Sequence, residues 1–215
     1  MLYTAYEMTY AAVAPARIAA GIGARLWRSP FNPLADSWVA RTSAAALDVF
    51  ENMTRRYPKP EWGIASTRVN GREVGVAIEP VITRDFCTLL RFRRDDEALK
   101  AAGVDGPQPK TLIVAPLSGH YATLLRGTVE AMLPEHDVYI TDWTDARQVP
   151  ITAGRFDLND YVDYLIEFLR FLGPRAHAIA VCQPGPALLA ATAILCEDGD
   201  KARPATMPIM GSPID

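Results

Sequence analysis

The chain has 215 residues, a formal charge of −3 at pH 7 and 49% apolar residues, enough to bury one sizeable core. So small a net charge gives no basis for binding nucleic acid or an anionic membrane. Three cysteines, at 87, 182 and 196, are too few and too scattered for a disulfide framework or a cysteine metal site, and they fit a reducing cytoplasm.

Residues 1–62 read as an N-terminal helical extension. The stretch AAVAPARIAAGI imitates the apolar core of a secretory signal, yet Glu7 stands where a basic segment belongs and no Lys or Arg precedes it. Leu2, Tyr6, Tyr10 and Val13 fall at helical spacing, as do Ile18, Ile22 and Leu26. Two amphipathic helices broken near Pro15 are therefore expected, packed on the domain or resting on an apolar particle. No apolar run is long enough to span a membrane. Residues 36–57 form a further helix with Asp36 or Ser37 as cap, ended by YPKPEWG.

Residues 63–215 read as a partial α/β domain. IASTRVNGREVGVAIEPVI predicts a hairpin turning at Asn70-Gly71, and DFCTLLRFRR a third strand. Residues 95–110 are polar loop with room for one helical turn. From 111 onward strands alternate with helices: TLIVAP, a loop and helix, DVYITDW, a helix over 157–172, HAIAVC, a helix in PALLAATAILCED, and ATMPIMG as a last strand. Asp157 and Asp160 have the spacing of a reciprocal cap on the 157–172 helix. This alternation implies a mostly parallel sheet with its antiparallel hairpin at one edge. The last strand lacks a helix to cover it, so the sequence reads as the front part of a longer protein.

The chemistry concentrates at HAIAVCQPGPALLAA, residues 177–191. In α/β-hydrolases a nucleophile sits between a strand end and a helix start, in a turn so tight that its flanks must be small. Ala180-Val181-Cys182-Gln183-Pro184 fits that frame, with proline tolerated in the first helical turn and Gly185 allowing close packing. The helix N-terminus favours the nucleophilic thiolate. A first oxyanion donor is the backbone N–H of Gln183, and a second is sought in the loop after an earlier strand, where Leu117, Ser118 and Gly119 precede His120. Cys182 as a plain buried side chain and Gly119 as a plain turn residue are the competing readings. Cys87 and Cys196 read as core residues.

Only three histidines exist. His177 begins the strand that ends at Cys182 and so lies ~16 Å away; His136 falls at the opposite sheet edge. His120 is on the correct edge, but a hydrolase of this class takes acid and base from chain following the nucleophile. Asp142, Asp145 and Arg147, in TDWTDARQVP, either shape a pocket or pair to order a long loop.

At these residues the chain resembles the intracellular polyhydroxyalkanoate (polyhydroxybutyrate) depolymerases. The likeness rests on MLYTAYEMTY, on APLSGHYATLLRGTVEAMLPEHDVYITDWTDARQVP, on FDLNDYVDYLIEFL and on AIAVCQP in place of a serine box. It implies an α/β-hydrolase fold, Cys182 as nucleophile, and an acid and histidine beyond Asp215, so that this chain alone would turn over poorly. It further implies hydrolysis of storage polyester through an acyl-thioester, without metal or organic cofactor, at cytoplasmic granules or on hydroxyacid oligomers. A polyester synthase is the rival enzyme, although its box keeps glycines where Ala180 and Pro184 stand here. A non-catalytic granule-surface protein is the rival from another class.

Overall fold

The computed structural model describes residues 2–117 and 121–214, with side chains from Thr4 onward. Ser118, Gly119 and His120 lie outside the described residues. The chain divides into two units, Met1–Pro58 and Lys59–Asp215. Lys59–Gly63 belong with the second, where Trp62 is buried edge-on against Phe92, with ring centroids 5.0 Å apart.

The first unit is a helical hairpin of α1 (Leu2–Trp27) and α2 (Trp38–Thr54). Contrary to the expected break, α1 runs unbroken through Pro15. Proline removes one backbone hydrogen bond, but α2 holds both halves in line. Glu7 pairs with Arg56 at 2.5 Å and Arg17 caps the Thr54 carbonyl, while Ala20 and Ala24 are buried along with Ala40 and Ala44. Ser37 caps α2 by accepting from the Ala40 N–H.

The second unit is built on β1 (Ser66–Val69), β2 (Arg72–Thr83), β3 (Cys87–Arg94), β4 (Lys110–Val114), β5 (Asp137–Trp143), β6 (His177–Val181) and β7 (Ile209–Met210). Their spatial order is β1-β2-β3-β5-β4-β6-β7. Pairings are antiparallel up to β3–β5 and parallel from β5 onward, so β2 and β4–β7 point one way while β1 and β3 run against them. This is an α/β-hydrolase-like sheet. The helices α3 (Asp96–Ala101), α4 (Arg126–Met132), α5 (Leu158–Leu172) and α6 (Gly185–Glu197) fill the connections, and α5 and α6 lie side by side.

Local chemistry accounts for most of these elements. Asn70 and Gly71 both adopt positive φ at the β1–β2 turn, as a tight hairpin requires. Asp157 accepts from the Asn159 and Asp160 N–H groups while the Asp160 carboxylate accepts from the Asp157 N–H, closing the expected reciprocal cap. Strand β7 is shorter than the expected ATMPIMG because Pro208 interrupts the ladder. The pairing itself runs further, with Ala178, Ala180 and Cys182 donating to the carbonyls of Thr206, Pro208 and Met210. Leu112, Ile113 and Val114 of β4 are fully buried in one core cluster with Leu165, Phe168 and Leu169 of α5, Leu188 of α6 and Val129 of α4.

Candidate active site

Strand β4 lies between β5 on one side and β6 on the other, so the chain leaves β4 toward one side and returns on the opposite one. Crevices in open α/β sheets form at such a switch, outside the carboxyl ends of the strands. The two segments diverging there, residues 115–117 after β4 and 182–184 after β6, carry the expected site residues.

Cys182 is exposed and sits at φ 66° between β6 and α6. A left-handed conformation costs a non-glycine residue about 1–2 kcal/mol, and it persists here because its surroundings hold it. The Cys182 N–H donates to the Met210 carbonyl at 2.8 Å, and the Gly185 N–H reaches back to the Cys182 carbonyl at 3.4 Å. Pro184 and Gly185 open α6, with Pro186 in its first turn. Gly185 is required by proximity: a Cβ there would stand 2.4 Å from Ser212, in the segment after β7, and 3.1 Å from Ile209. The close approach is thus to the neighbouring strand's end, which clamps the corner from the β7 side.

Opposite the corner, the segment after β4 is pinned twice to β5. The buried Ala115 N–H donates to Thr141 Oγ1 at 2.9 Å, and the Trp143 indole N–H donates to the Ala115 carbonyl at 2.9 Å. The Leu117 N–H, one of the expected oxyanion donors, is engaged by the Gln183 side-chain oxygen at 3.0 Å. It is therefore not an open donor in this conformation, a correction to the sequence reading. The same bond spans the switch point and ties the two loops together.

A cavity of about 630 Å³ opens beside Leu117 and Tyr121. Phe86 and Phe156 stack in its wall at 4.7 Å, and Trp143 meets Phe156 edge-on at 5.9 Å. Asp145 and Arg147 also line it and pair at 2.5 Å. Asp142 does not line it: it points elsewhere from β5, paired with Lys59, with its Oδ1 buried and unpartnered. The aromatic wall escapes sequence reading because its rings come from three segments far apart in the chain.

The described histidines stay away from this edge. His177 Nδ1 bonds to Thr206 Oγ1 at 2.8 Å at the start of β6, and His136 Nδ1 faces the Met132 carbonyl at 3.3 Å before β5. Cys87 is buried, and burial pushes its thiol well above the ordinary range. Cys196, expected in the core, is exposed because it falls on the outer face of α6. No three His, Cys, Asp or Glu side chains among the described residues come together as a metal site requires. No helix among them is long and apolar enough to cross a membrane.

No family model and no curated protein matches the chain. Among solved structures it is similar to brefeldin A esterase, a bacterial homologue of human hormone-sensitive lipase, at 16% identity and a TM-score of 0.41, covering 83% of this chain and 50% of that one. It is also similar to an esterase from the fungus Rhizomucor miehei, at 14% identity and a TM-score of 0.34, covering 87% and 54% respectively. The chain thus spans about half the length of the esterases it matches.

Proposed function

We propose that this chain belongs to an ester hydrolase of the intracellular polyhydroxyalkanoate depolymerase type, with Cys182 as its nucleophile. The observation that carries the reading is an exposed cysteine held at positive φ between a parallel strand and the first turn of a helix. A buried structural cysteine needs neither the exposure nor the strain. The sequence likeness to that family supports storage polyester as the substrate. The apolar, aromatic cavity beside Leu117 suits a hydroxyacyl segment, with the Asp145–Arg147 pair meeting its polar end.

In this mechanism a histidine takes the Cys182 thiol proton and the thiolate attacks an ester carbonyl, forming the carbon–sulfur bond as charge develops on the oxygen. The Gln183 N–H and a donor from the 117–119 loop stabilise that charge. Leu117 serves in this role only when the Gln183 carboxamide gives way to substrate. The ester carbon–oxygen bond then breaks, the alcohol leaves with a proton from a histidine, and water activated by the same histidine cleaves the thioester. His136 and His177 are placed at the other sheet edge, so that histidine is His120 or, as the family likeness implies, one beyond Asp215. The location this implies is the cytoplasm, at polyester granules.

The test is release of 3-hydroxyacids from amorphous polyester granules by the full-length protein. Cys182→Ala abolishes release while leaving granule binding intact. Undiminished release by that variant contradicts the proposal, and polymer growth from hydroxyacyl-CoA reassigns the protein to synthesis.

A further inference from the structure

Thirteen of the 21 exposed large hydrophobic side chains among the described residues lie before residue 58, in the helical hairpin. Within helix α1, four of the five fall on one stripe, Tyr6 standing apart. Met8, Ala11, Pro15, Ile18, Ile22 and Leu26 follow one another at steps of three and four residues. The large members stay in the open: Met8 is 69% exposed, Ile18 63%, Ile22 53% and Leu26 65%. At about 100° per residue this stripe lies roughly 170° around the helix from Ala20 and Ala24, the positions buried in the seam with α2. A stripe of this kind is a second packing face, and its three–four spacing is the one that seats helix against helix.

We propose that α1 pairs antiparallel with α1 of a second copy of this chain. Three features select that occupant. Set about a two-fold axis between residues 15 and 18, the stripe is complementary to itself: Met8 meets Leu26, Ala11 meets Ile22, and Pro15 meets Ile18. At the last two pairs a smaller residue faces a larger one, and each contact recurs across the axis, as an isologous interface requires. The area is adequate. Paired about that axis, the helices overlap over residues 6–27, about 33 Å, and half the girth over that length gives on the order of 550 Å² per copy, so that ~1,100 Å² in all clears the ~1,000 Å² of a specific interface. The face is also directed away from α2, at the outer edge of the hairpin. The exposed Trp38, Val49 and Met53 of α2 occupy the opposite edge, since they too point away from the seam. A flat apolar particle lies along one flank of a hairpin and does not reach both edges, whereas a helix fits an edge. An anionic membrane is disfavoured because the stripe has no flanking row of basic residues.

The experiment is sedimentation equilibrium of the full chain at micromolar concentration, beside Ile18→Glu/Ile22→Glu and Ala16→Glu, the last lying on an exposed flank outside the stripe. The wild type and Ala16→Glu run as dimers. The double variant dissociates at least about 100-fold more readily, because two carboxylates from each copy would be buried unpaired, while its far-ultraviolet dichroism is unchanged. The register is read in a Cys182→Ser/Cys196→Ser background. A short bis-maleimide joins Met8→Cys protein to Leu26→Cys protein and joins neither variant efficiently to itself. A monomeric wild type, a double variant as dimeric as the parent, or cross-links of 8 to 8 overturns the proposal. Wild-type monomers that bind polyester particles through Ile18 and Ile22 overturn it in favour of the particle.

Discussion

Cys182 carries a conformation that its own chemistry disfavours. With φ at 66°, the side chain is strained against the backbone, and glycine is the one residue that takes this position freely. This gives a signed expectation. Cys182→Gly folds more stably than Cys182→Ala by about 1 kcal/mol, measured as the difference in urea unfolding free energy. Anywhere with ordinary backbone angles the order reverses, since glycine gains more freedom on unfolding. A more stable alanine variant would therefore mean that no strained corner exists. Gln183 acts through its side chain at the same scale. Its carboxamide holds the Leu117 N–H at 3.0 Å, placing a neutral oxygen where the mechanism brings a negative one.

At the scale of elements, the corner depends on how α6 meets the end of β7. Gly185 stands so near Ser212 that an added methyl group has no room. Helix propensity alone favours alanine over glycine by about 1 kcal/mol, whereas overpacking costs about 1–3 kcal/mol. Crowding by Ser212 and Ile209 wins, so Gly185→Ala lowers stability in chemical denaturation; a gain would show that α6 sits further from β7. Elements set by neighbours in sequence are visible before any fold is known, as Asn70-Gly71 and the Asp157–Asp160 cap illustrate. Elements set by distant partners are not. Pro15 reads as a break because proline lacks a donor, and what overrides it is α2, more than twenty residues away. The cavity is hidden for the same reason, because Phe86, Trp143 and Phe156 meet only once β3 and β5 have paired.

The whole molecule has its own pH response. Burial raises the Cys87 thiol, and it raises the hydroxyls of Tyr161 and, with Asp137 beside it, Tyr139. Each group stays protonated in the fold but ionises in the unfolded chain, near pH ~8.5 for a thiol and ~10 for tyrosine. Above those values the unfolded state binds fewer protons than the native one, so stability falls as pH rises. Unfolding free energy accordingly declines above pH ~8.5, and Cys87→Ala flattens the first part of that decline; an unchanged slope in the variant contradicts the assignment. The same burial keeps Cys87 silent toward thiol reagents, leaving Cys182 and Cys196 as the accessible sulfurs. Which of them carries an acyl group decides whether Cys182 is the nucleophile. The protein is mixed with a p-nitrophenyl 3-hydroxybutyrate ester, quenched in acid and mapped by peptide mass spectrometry. A single hydroxybutyryl thioester on Cys182, formed as nitrophenolate leaves and absent from Cys182→Ala, is the predicted result. An acyl group on Cys196 or on another residue, or nitrophenolate release undiminished in Cys182→Ala, would contradict it.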